Sequence, residues 1–482
     1  MSGLVCDGFQ GYRALETISN IPGGGFMPER TASMTAHHKA VEQIRESYAA
    51  IPEGAAPRLA KATTNLFRFR EPTKTARLSA RDLDQVIEVD PETMTAEVQG
   101  MTTYENLVDA TLPYGLMPCV VPQLKTITLG GAVTGLGIES SSFRDGLPHE
   151  SVEELEVLTG DGRIVVARAD NEHADLFRSF PNSYGTLGYA LRIRIKLAPV
   201  KPFVRLTHVR FTDAAKCMLA LQEICQSGEH DGERVDFVDG TYFGPDELYI
   251  TVGTFADKAP YASDYTGMRI YYQSLRTRTR DWLTVRDYLW RWDTDWFWCS
   301  RAFGVQQPLV RSLLPRRWLR SDVYRRLVGL DQRYGVTARL DRWRNNPVQE
   351  SVIQDVEVPV ERGAEFLEFF QEQVGMTPVW MCPLKATGEW SLYPLEPGRL
   401  YVNFGFWGMV PLPRGAHDGH HNRLIENAVH ELEGHKSLYS TSFYEREEFW
   451  RLYNGDAYWP VKRSYDPGGR LLNLYEKCVR GR

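Results

Sequence analysis

Hydrophobic and polar residues alternate in short runs along the N-terminal half of the chain, which is typical of strands joined by tight turns. The run QVIEVD (85–90) predicts a strand, PETM a turn, and TAEVQG (95–100) the pairing strand. The segment VEELEVLTGDGRIVVARA (152–169) alternates on both sides of a Gly-Asp-Gly turn and therefore predicts a β-hairpin. The run YALRIRIKLAPV (189–200) predicts a further strand, which Pro199 ends.

Two helices are predicted among these strands. The segment TTYENLVDATLPYG (102–115) has helical spacing of its apolar residues, with Thr102 or Thr103 as N-cap and Gly115 at the end. The segment NEHADLFRSF (171–180) predicts a second, shorter helix. Strands and helices in this order indicate a compact α+β unit.

The domain organisation is predicted from changes in the pattern of apolar and polar residues along the chain. Residues 1–35 show little periodicity, so we expect a mobile tail, and residues 36–199 form the α+β unit. Longer mixed segments from 200 to 430 predict a second domain, and 431–482 returns to helical patterns that start with NRLIENAVHELEGH (422–435) at the boundary. The sheet of the second domain is predicted from ELYITVGTF (247–255), SVIQDVEVP (351–359) and RLYVNFGFW (399–407).

Composition narrows the class of protein. A chain of 482 residues usually forms two domains, or one domain with a large insertion. The formal charge of −6 gives no global electrostatic reason to expect nucleic acid as a partner. Seven scattered cysteines without CxxC spacing fit a reducing compartment, and the lack of a long apolar run or a secretory signal predicts a cytoplasmic protein.

The stretch TLGGAVTGLGIESSSFRDG (128–146) gives the strongest indication of a binding site. Its five glycines leave backbone groups accessible, and its three serines add hydroxyl donors. Neither a helix nor a plain strand favours this composition. A dinucleotide-binding GxGxxG fails because Ser140 stands where the third glycine belongs, and a phosphate loop fails because no lysine follows. Such a backbone can wrap a diphosphate or lie along a flat ring. A glycine-rich sheet corner without a ligand is the alternative.

The segments VPQLKTITLGGAVTGLGIESSSFRDGL (121–147) and FPNSYGTLGYALRIRIKLAPVKPFVRL (180–206) resemble the FAD-binding domain of the vanillyl-alcohol-oxidase (PCMH) type of flavoprotein. Within that type, TPVWMCPL (377–384) and FYEREEFWRLYNG (443–455) resemble segments of the delta-24 sterol reductase group. The resemblance covers about residues 55–480.

The resemblance implies an α+β fold, in which a two-lobed FAD-binding domain holds extended FAD and a second α+β cap domain covers its isoalloxazine. The glycine stretch and its flanks would touch flavin or diphosphate at Pro122, Thr126, Thr128, Gly130, Gly131, Gly135, Gly137, Ser141 and Gly146. Gly185 and Gly188 would line the adenosine side. The loop RLAKATTNL (58–66), with Lys61, Thr64 and Asn65, would be the first diphosphate loop, although it departs from the usual glycine-rich form. Residues 55–70 contain no His, Cys or Tyr, so we expect non-covalent FAD.

The group reduces carbon–carbon double bonds with electrons from NADPH, and similar bacterial chains include the reductase that converts a 10-methylene fatty acyl phospholipid into its 10-methyl form. The segment RLAKATTNLFRFR (58–70) resembles the start of those bacterial reductases. The resemblance therefore implies a lipid substrate, transient NADPH binding, and a lipid methyltransferase of the same pathway as partner. Two alternatives stay open: a flavin oxidase or dehydrogenase of an alcohol or lipid-linked sugar, and a flavin-free binding module.

Reduction of an alkene also needs a proton donor. The candidates are Glu139 in the glycine stretch, Tyr184 before GTLG, and Glu448, next to Glu447, in REEFW. Glu139 can equally well accept backbone hydrogen bonds. Asp293 and Asp295 lie between tryptophans and are expected at the surface; desolvation, which would raise their pKa, is the alternative. HDGHH (417–421) is expected to be a mobile loop without a metal.

Tryptophan and arginine concentrate in one region. Residues 281–301 contain five Trp, and residues 311–344 contain ten Arg against three Asp. Tryptophan beside an arginine-rich amphipathic segment is what peripheral docking on an anionic membrane requires. A solvated basic helix beside an aromatic core is the alternative.

Overall fold

In this computed structural model the protein consists of two halves. Each half contains both helices and strands and is built on an antiparallel sheet. The structure describes residues 26–52, 54–61, 66–68, 76–334 and 347–481. The architecture is α+β with two domains, as predicted.

The first half contains the following helices and strands: α1 (Phe26–Ala49), β1 (Pro57–Ala60), β2 (Ala76–Ser79), β3 (Val86–Asp90), β4 (Thr95–Gln99), α2 (Tyr104–Thr111), β5 (Leu116–Pro118), α3 (Leu129–Gly135), α4 (Ser142–Asp145), β6 (Val152–Leu158), β7 (Ile164–Ala167), α5 (Ala174–Ser179) and β8 (Tyr189–Pro199).

Strand β8 is the centre of the first sheet, whose order is β3-β4-β8-β6-β7, with β5 also paired to β8. The predicted hairpin is confirmed as β6 and β7, with Leu158 opposite Ile164. The predicted helix cap is Thr103, whose side chain accepts the amide hydrogen of Asn106, and Gly115 ends the turn that follows in the left-handed conformation. Alternation and turn residues were sufficient signals here because these contacts are local.

Helix α3 lies unusually close to this sheet. A Cβ on Gly130 would stand 2.6 Å from the Gly100 carbonyl oxygen, and a Cβ on Gly100 would stand 2.1 Å from the Ala190 carbonyl oxygen. Backbone therefore packs directly on backbone, which only glycine permits. The expectation that the glycine stretch avoids helix is wrong for Leu129–Gly135, because the Thr128 cap and this packing outweigh the low helix propensity of glycine.

The second half contains the following elements: β9 (Phe203–Phe211), α6 (Ala214–Ser227), β10 (Glu229–His230), β11 (Glu233–Arg234), β12 (Phe237–Gly244), β13 (Glu247–Ala256), α7 (Tyr271–Ser274), β14 (Arg280–Thr284), α8 (Val285–Leu289), α9 (Pro308–Leu313), α10 (Ser321–Tyr334), β15 (Gln349–Pro359), α11 (Gly363–Gln373), β16 (Val379–Lys385), β17 (Leu400–Pro411), α12 (His420–Glu431), β18 (His435–Lys436), α13 (Arg446–Leu452), α14 (Gly455–Tyr465) and α15 (Leu474–Cys478).

The second sheet has eight strands in the order β14-β9-β13-β12-β16-β17-β15-β18, so the three predicted strands all belong to it. Alternate residues of each strand point to opposite faces. One face packs on α6, α11 and α12 through residues such as Val356, Phe366 and Phe404. The other face turns toward the first half and carries aromatic and polar side chains, among them Trp380 and Tyr401.

The C-terminal segment contacts both halves. Strand β18 pairs with β15, so the second sheet extends to residue 436, beyond the predicted boundary at 430. Helix α14 returns to the first half, where the Lys462 ammonium group donates to the carbonyls of Thr186 and Leu471 at 2.8 Å each.

Two expectations at the surface are wrong. Helix α1 begins at Phe26, within the segment expected to be a mobile tail. In HDGHH, His420 starts helix α12 and His421 is buried against the carboxylate of Glu350, so this part is ordered. No cluster of three metal-ligating side chains occurs in the described residues.

The aspartates between the tryptophans are buried. Asp295 forms a two-pronged ion pair with Arg311, with distances of 2.6 and 3.0 Å. Asp293 accepts hydrogen bonds from the Lys125 amide and the Ser321 hydroxyl, and burial raises the pKa of Asp293. The sequence reading failed here because the partners come from segments distant along the chain.

A buried arginine joins the two halves. The Arg291 guanidinium donates to the Asp239 carboxylate at 2.8 Å and to the Tyr288 carbonyl at 2.9 Å, and it lies 3.8 Å from the Glu139 carboxylate. The Tyr288 hydroxyl in turn lies 2.8 Å from the hydroxyl of Ser140, in the glycine stretch. We call Arg291, Asp239, Glu139, Tyr288 and Ser140 the Arg291 cluster.

Replacement of the central arginine is expected to destabilise the protein strongly. In Arg291→Met the Asp239 carboxylate loses its cation while it stays buried, so we expect the free energy of unfolding to fall by about 3–5 kcal/mol. The matched control is Arg286→Met, because Arg286 pairs with Asp109 on the surface and should contribute at most about 1 kcal/mol. Urea unfolding of both variants measures the difference, and equal losses would contradict the assigned role.

Candidate functional site

A cavity of 880 Å³ lies between the two halves. Its walls come from β1, the α3 segment, the turn before β8, the inner face of the second sheet and the C-terminal segment. The size falls within the range of small-molecule sites. Its two ends differ in chemistry, and we call them the basic end and the aromatic end.

The basic end carries six cationic side chains. Those among the described lining residues are Arg58, Lys61, Arg68, Arg77, Arg81 and Lys477. The Arg68 guanidinium stacks over the Tyr184 ring at 4.6 Å, and its buried Nε has no hydrogen-bond partner. The Lys477 Nζ lies 3.5 Å from the position of a Cβ on Gly185, which places it beside the GTLG turn. This concentration of cations suits a ligand with several negative charges.

The glycine stretch forms the wall between the ends. Helix α3 begins with the Thr128 side chain accepting the amide hydrogen of Gly131, and both residues line the cavity. A Cβ on Gly135 would stand 3.1 Å from the Tyr184 ring, so this glycine allows the ring to pack against the helix end. The Tyr184 hydroxyl donates to the Gly135 carbonyl at 2.8 Å.

Five aromatic rings define the other end. Phe297 stacks on Trp407 with ring centroids 4.3 Å apart and lies 5.4 Å from Trp380, while Trp296 stacks on Phe67 at 5.6 Å. Rings in these arrangements make a flat, apolar surface. This end therefore suits an apolar ligand or a flat ring system.

Backbone conformations that side chains rarely adopt are concentrated at the cavity. Leu136, Tyr184, Trp296 and Phe297 line it and have φ angles of 62, 51, 47 and 59°. Residues with side chains are held in this region only when the surrounding structure fixes them, and such residues cluster at functional sites. The strain supports a functional assignment of the cavity.

One carboxyl group opens onto the aromatic end. Asp355 of β15 is the only acidic residue among the described residues that line the cavity. Its Oδ1 accepts a hydrogen bond from the Asn403 amide at 3.3 Å, and the Tyr439 hydroxyl is a further partner. The Trp407 indole donates to the Tyr439 hydroxyl at 2.8 Å, which orients that hydroxyl. Burial raises the pKa of Asp355 to about 7.

A second carboxyl lies behind the cavity wall on the same strand face. Glu357 is fully buried, accepts from the Tyr393 hydroxyl, and accepts from the Ser437 hydroxyl at 3.2 Å. Burial, with the nearby charge of Asp355, raises the pKa of Glu357 to about 8. Both acids are therefore substantially protonated at neutral pH.

Most of the residues expected to bind the cofactor line the cavity. They are Lys61, Pro122, Thr126, Thr128, Gly130, Gly131, Gly135, Gly137, Gly185 and Gly188. Ser141 and Gly146 do not: the Ser141 hydroxyl donates to the Cys119 carbonyl, and Gly146 lies against Glu150. Thr64 and Asn65 lie outside the described residues.

The expected proton donors likewise divide into one residue that lines the cavity and two that do not. Tyr184 lines the cavity, whereas Glu139 and Glu448 do not. Glu139 is buried behind the glycine wall, where it accepts hydrogen bonds from Gln123 and from the amide of Ser140, and burial raises its pKa to about 7. Glu448 lies on α13, half-buried beside the exposed Glu447.

Several lining residues were missed by sequence reasoning. Arg77, Arg81 and Lys477 come from distant segments with no local motif. Asp355 did have a signal: the central strand SVIQDVEVP places two acids two residues apart on one face, which central strands normally avoid. Acids in such a position need a reason, and here Asp355 faces the cavity while Glu357 lies behind its wall.

Comparisons with known proteins bear on this site. The family described as "FAD binding domain" matches residues 39–168. The Delta(24)-sterol reductase of Arabidopsis thaliana is 28% identical over 447 residues, covering 82% of this chain and 75% of that protein. The human Delta(24)-sterol reductase is 27% identical over 426 residues, covering 83% of this chain and 77% of that protein. Cytokinin dehydrogenase 9 of Oryza sativa subsp. japonica is 29% identical over 144 residues, covering 30% of this chain and 27% of that protein.

The residues present fit FAD. The bare backbone of Gly130 and Gly131 and the cations of the basic end match a diphosphate, and the buried Arg68 Nε and Gln123 Oε1 on the cavity wall are polar atoms without protein partners. The aromatic end matches a flat ring with an apolar partner beside it.

The buried acids predict a pH dependence of stability. The pKa of Glu357 rises from about 4.5 to about 8 on folding, so the folded state binds its proton more tightly than the unfolded state does. Stability from this group is therefore fully present below about pH 4.5 and is lost as the pH rises toward 8. In Glu357→Gln we expect the free energy of unfolding to fall less between pH 6 and pH 9 than in the wild type. Urea unfolding at both pH values measures this, and an unchanged slope would contradict burial of a neutral Glu357.

Proposed function

Because the chain carries a PCMH-type FAD binding domain and is related to the Delta(24)-sterol reductases over four fifths of its length, we propose that it is an FAD-dependent oxidoreductase that reduces a carbon–carbon double bond in a lipid. The observation that carries the proposal is the two-ended cavity: a basic, glycine-walled end continues into an aromatic end with a single carboxyl group.

The chain's own residues have separate tasks in this function. The cations of the basic end bind the diphosphate, and helix α3 presents backbone to it without side chains in the way. FAD, when bound, supplies the hydride chemistry of the reaction. Trp296, Phe297, Trp380 and Trp407 exclude water and orient an apolar chain.

The preferred substrate within this class is a 10-methylene fatty acyl phospholipid, reduced to its 10-methyl form. This choice is supported by the resemblance of RLAKATTNLFRFR (58–70) to the bacterial reductases of such lipids. NADPH is the proposed electron donor, docking transiently, and a lipid methyltransferase that makes the methylene group is the proposed partner enzyme.

A dehydrogenase of an alcohol or lipid-linked sugar is the second candidate. The partial likeness to a cytokinin dehydrogenase, which covers 30% of the chain, favours a dehydrogenase reaction but indicates neither an alcohol nor a sugar as the substrate. The sterol reductase likeness extends over the second half as well, where the aromatic end lies, and therefore favours alkene reduction.

Spectroscopy of the purified protein tests the function. We expect a yellow protein whose flavin is released by acid precipitation, since the described cavity residues and the sequence of 55–70 contain no His or Cys for a covalent bond. Without oxygen, NADPH should bleach the flavin and a methylene-branched phospholipid should restore its colour. Bleaching by an alcohol and not by NADPH would support the dehydrogenase instead.

We propose in addition that the enzyme docks peripherally on anionic membrane from the cytoplasmic side. In the described residues, no helix combines the length and apolar character needed to span a bilayer. The tryptophans expected to dock are unsuitable, because Trp290, Trp292, Trp296 and Trp298 are buried.

Helix α9 and the turn after it offer an exposed apolar surface instead. Leu309 and Leu313 are 81% and 83% exposed, and Val310 and Trp318 are also exposed. We call these four residues the α9 patch. Arg301, Arg316 and Arg317 are exposed near the patch along the chain, which favours an anionic lipid surface as the partner. Behind the patch, Leu319 packs in a cluster with Trp296, which lines the cavity.

Liposome binding tests the patch. The double variant Leu309→Ser/Leu313→Ser should pellet with phosphatidylglycerol-containing liposomes several-fold less than the wild type does. The matched control is Leu219→Ser, which removes an exposed leucine from α6, outside the patch. Wild-type binding that ignores the anionic lipid content, or equal losses in both variants, would rule out docking through this patch.

A further inference from the structure

Asp355 is placed where a proton is needed. Among the described lining residues it is the single carboxyl group, and its partner Tyr439 accepts a hydrogen bond from the Trp407 indole of the aromatic end. The candidates taken from the sequence are less well placed. Glu139 and Glu448 do not reach the cavity, and the Tyr184 hydroxyl donates to the Gly135 carbonyl.

The position of the carboxyl is fixed by its strand and its neighbours. Val356 faces the helices on the other side of the sheet, so Asp355 must face the cavity. The opposite residue on β17 is Gly405, and a Cβ there would stand 2.5 Å from the Asp355 Oδ1. The missing side chain at 405 leaves the space that the carboxyl occupies. Asn403 and Tyr439 then hold it by hydrogen bonds.

The surroundings favour a neutral acid. The titratable groups around Asp355 are Tyr439 in the loop after β18, Glu357 on the same strand, Tyr184 before β8 and Arg68, which stacks on Tyr184. Neither hydrogen-bond partner of Asp355 carries a positive charge: one is an amide and the other a phenol. Burial then leaves the acid protonated up to about pH 7, and the pKa of Tyr439 is raised as well.

We propose that Asp355 is the proton donor of the reaction, delivering its carboxyl proton to one carbon of the double bond in a lipid chain held by the aromatic end. The π bond breaks and two C–H bonds form: one carbon takes the proton of Asp355, and the other takes the hydride that reduced flavin supplies. Asp355 is left as a carboxylate and regains a proton from water. The proposal rests on the function proposed above.

The protonation state of Asp355 can be measured by infrared spectroscopy without catalytic turnover. In the FAD-loaded protein, the infrared difference spectrum between pH 6 and pH 9 should contain a carboxylic acid C=O band that is lost in Asp355→Asn and kept in Tyr184→Phe. Glu357→Gln removes only the contribution of the neighbouring acid and identifies its band. If Asp355→Asn leaves the difference spectrum unchanged, the acid is already ionised and the proposal is wrong.

Half-reactions separate this proposal from the proposed function. Asp355→Asn should bind FAD and be bleached by NADPH like the wild type, while its reoxidation by the methylene phospholipid should be about 100-fold slower or more. Asp355→Glu should recover part of that loss. The wild-type reoxidation rate should fall as the pH rises through about 7, and this inflection should be missing in Asp355→Asn.

The outcomes distinguish the two failures. If the wild type is bleached but no alkene restores its colour, the proposed function fails. If the wild type is reoxidised by the alkene and Asp355→Asn matches its rate and pH profile, the function stands and another group donates the proton.

Discussion

The geometry of the cavity depends on one buried guanidinium. Arg291 lies on the cap side, yet its partners belong to both halves: Asp239 on the second sheet and Glu139 in the glycine stretch. A buried cation is costly unless its hydrogen bonds are satisfied, and Asp239 also accepts from the indoles of Trp292 and Trp380 at 3.2 Å each. Sliding one half against the other would expose several buried polar groups at once. The Arg291 cluster therefore makes the relative position of the two walls a property of the fold.

The inner face of the second sheet carries acidic and amide side chains whose burial is energetically unfavourable. Asp239, Asp355, Glu357 and Asn403 all point to it, whereas the opposite face of the same strands is made of valine and phenylalanine. Apolar residues of similar size at these positions would remove the penalty of buried carboxyl groups. For Asp239 the ion pair with Arg291, which joins the halves, compensates for that penalty, but Asp355 has only neutral partners. An acid that faces a cavity without a compensating cation is best explained by chemistry in that cavity.

Sequence reasoning succeeded where the signal was local. Alternation, caps and turn residues were enough for the hairpin of β6 and β7, for α2, and for the three long strands of the second sheet. It failed where the environment came from elsewhere in the chain. Asp295 has the same local appearance as a surface acid, and only Arg311, brought in by α9, makes it a buried one. The cations of the basic end come from several separate segments, so no spacing in the sequence could have assembled them. The glycine motif gave the location of the site, and the resemblance gave its ligand.

The segment from α8 to α10 connects the proposed docking surface to the cavity. Between residues 291 and 318 it supplies Arg291 to the junction of the halves, Trp296 and Phe297 to the cavity wall, and the α9 patch to the surface. The Asp295–Arg311 ion pair ties the patch to the wall, because Asp295 directly precedes Trp296 and Arg311 lies within α9. A rigid connection of this kind keeps the apolar surface at a fixed distance from the aromatic end. Under the proposed function, an acyl chain drawn from a bilayer would have to cross that distance without exposure to water, and a fixed connection between patch and cavity would serve that transfer.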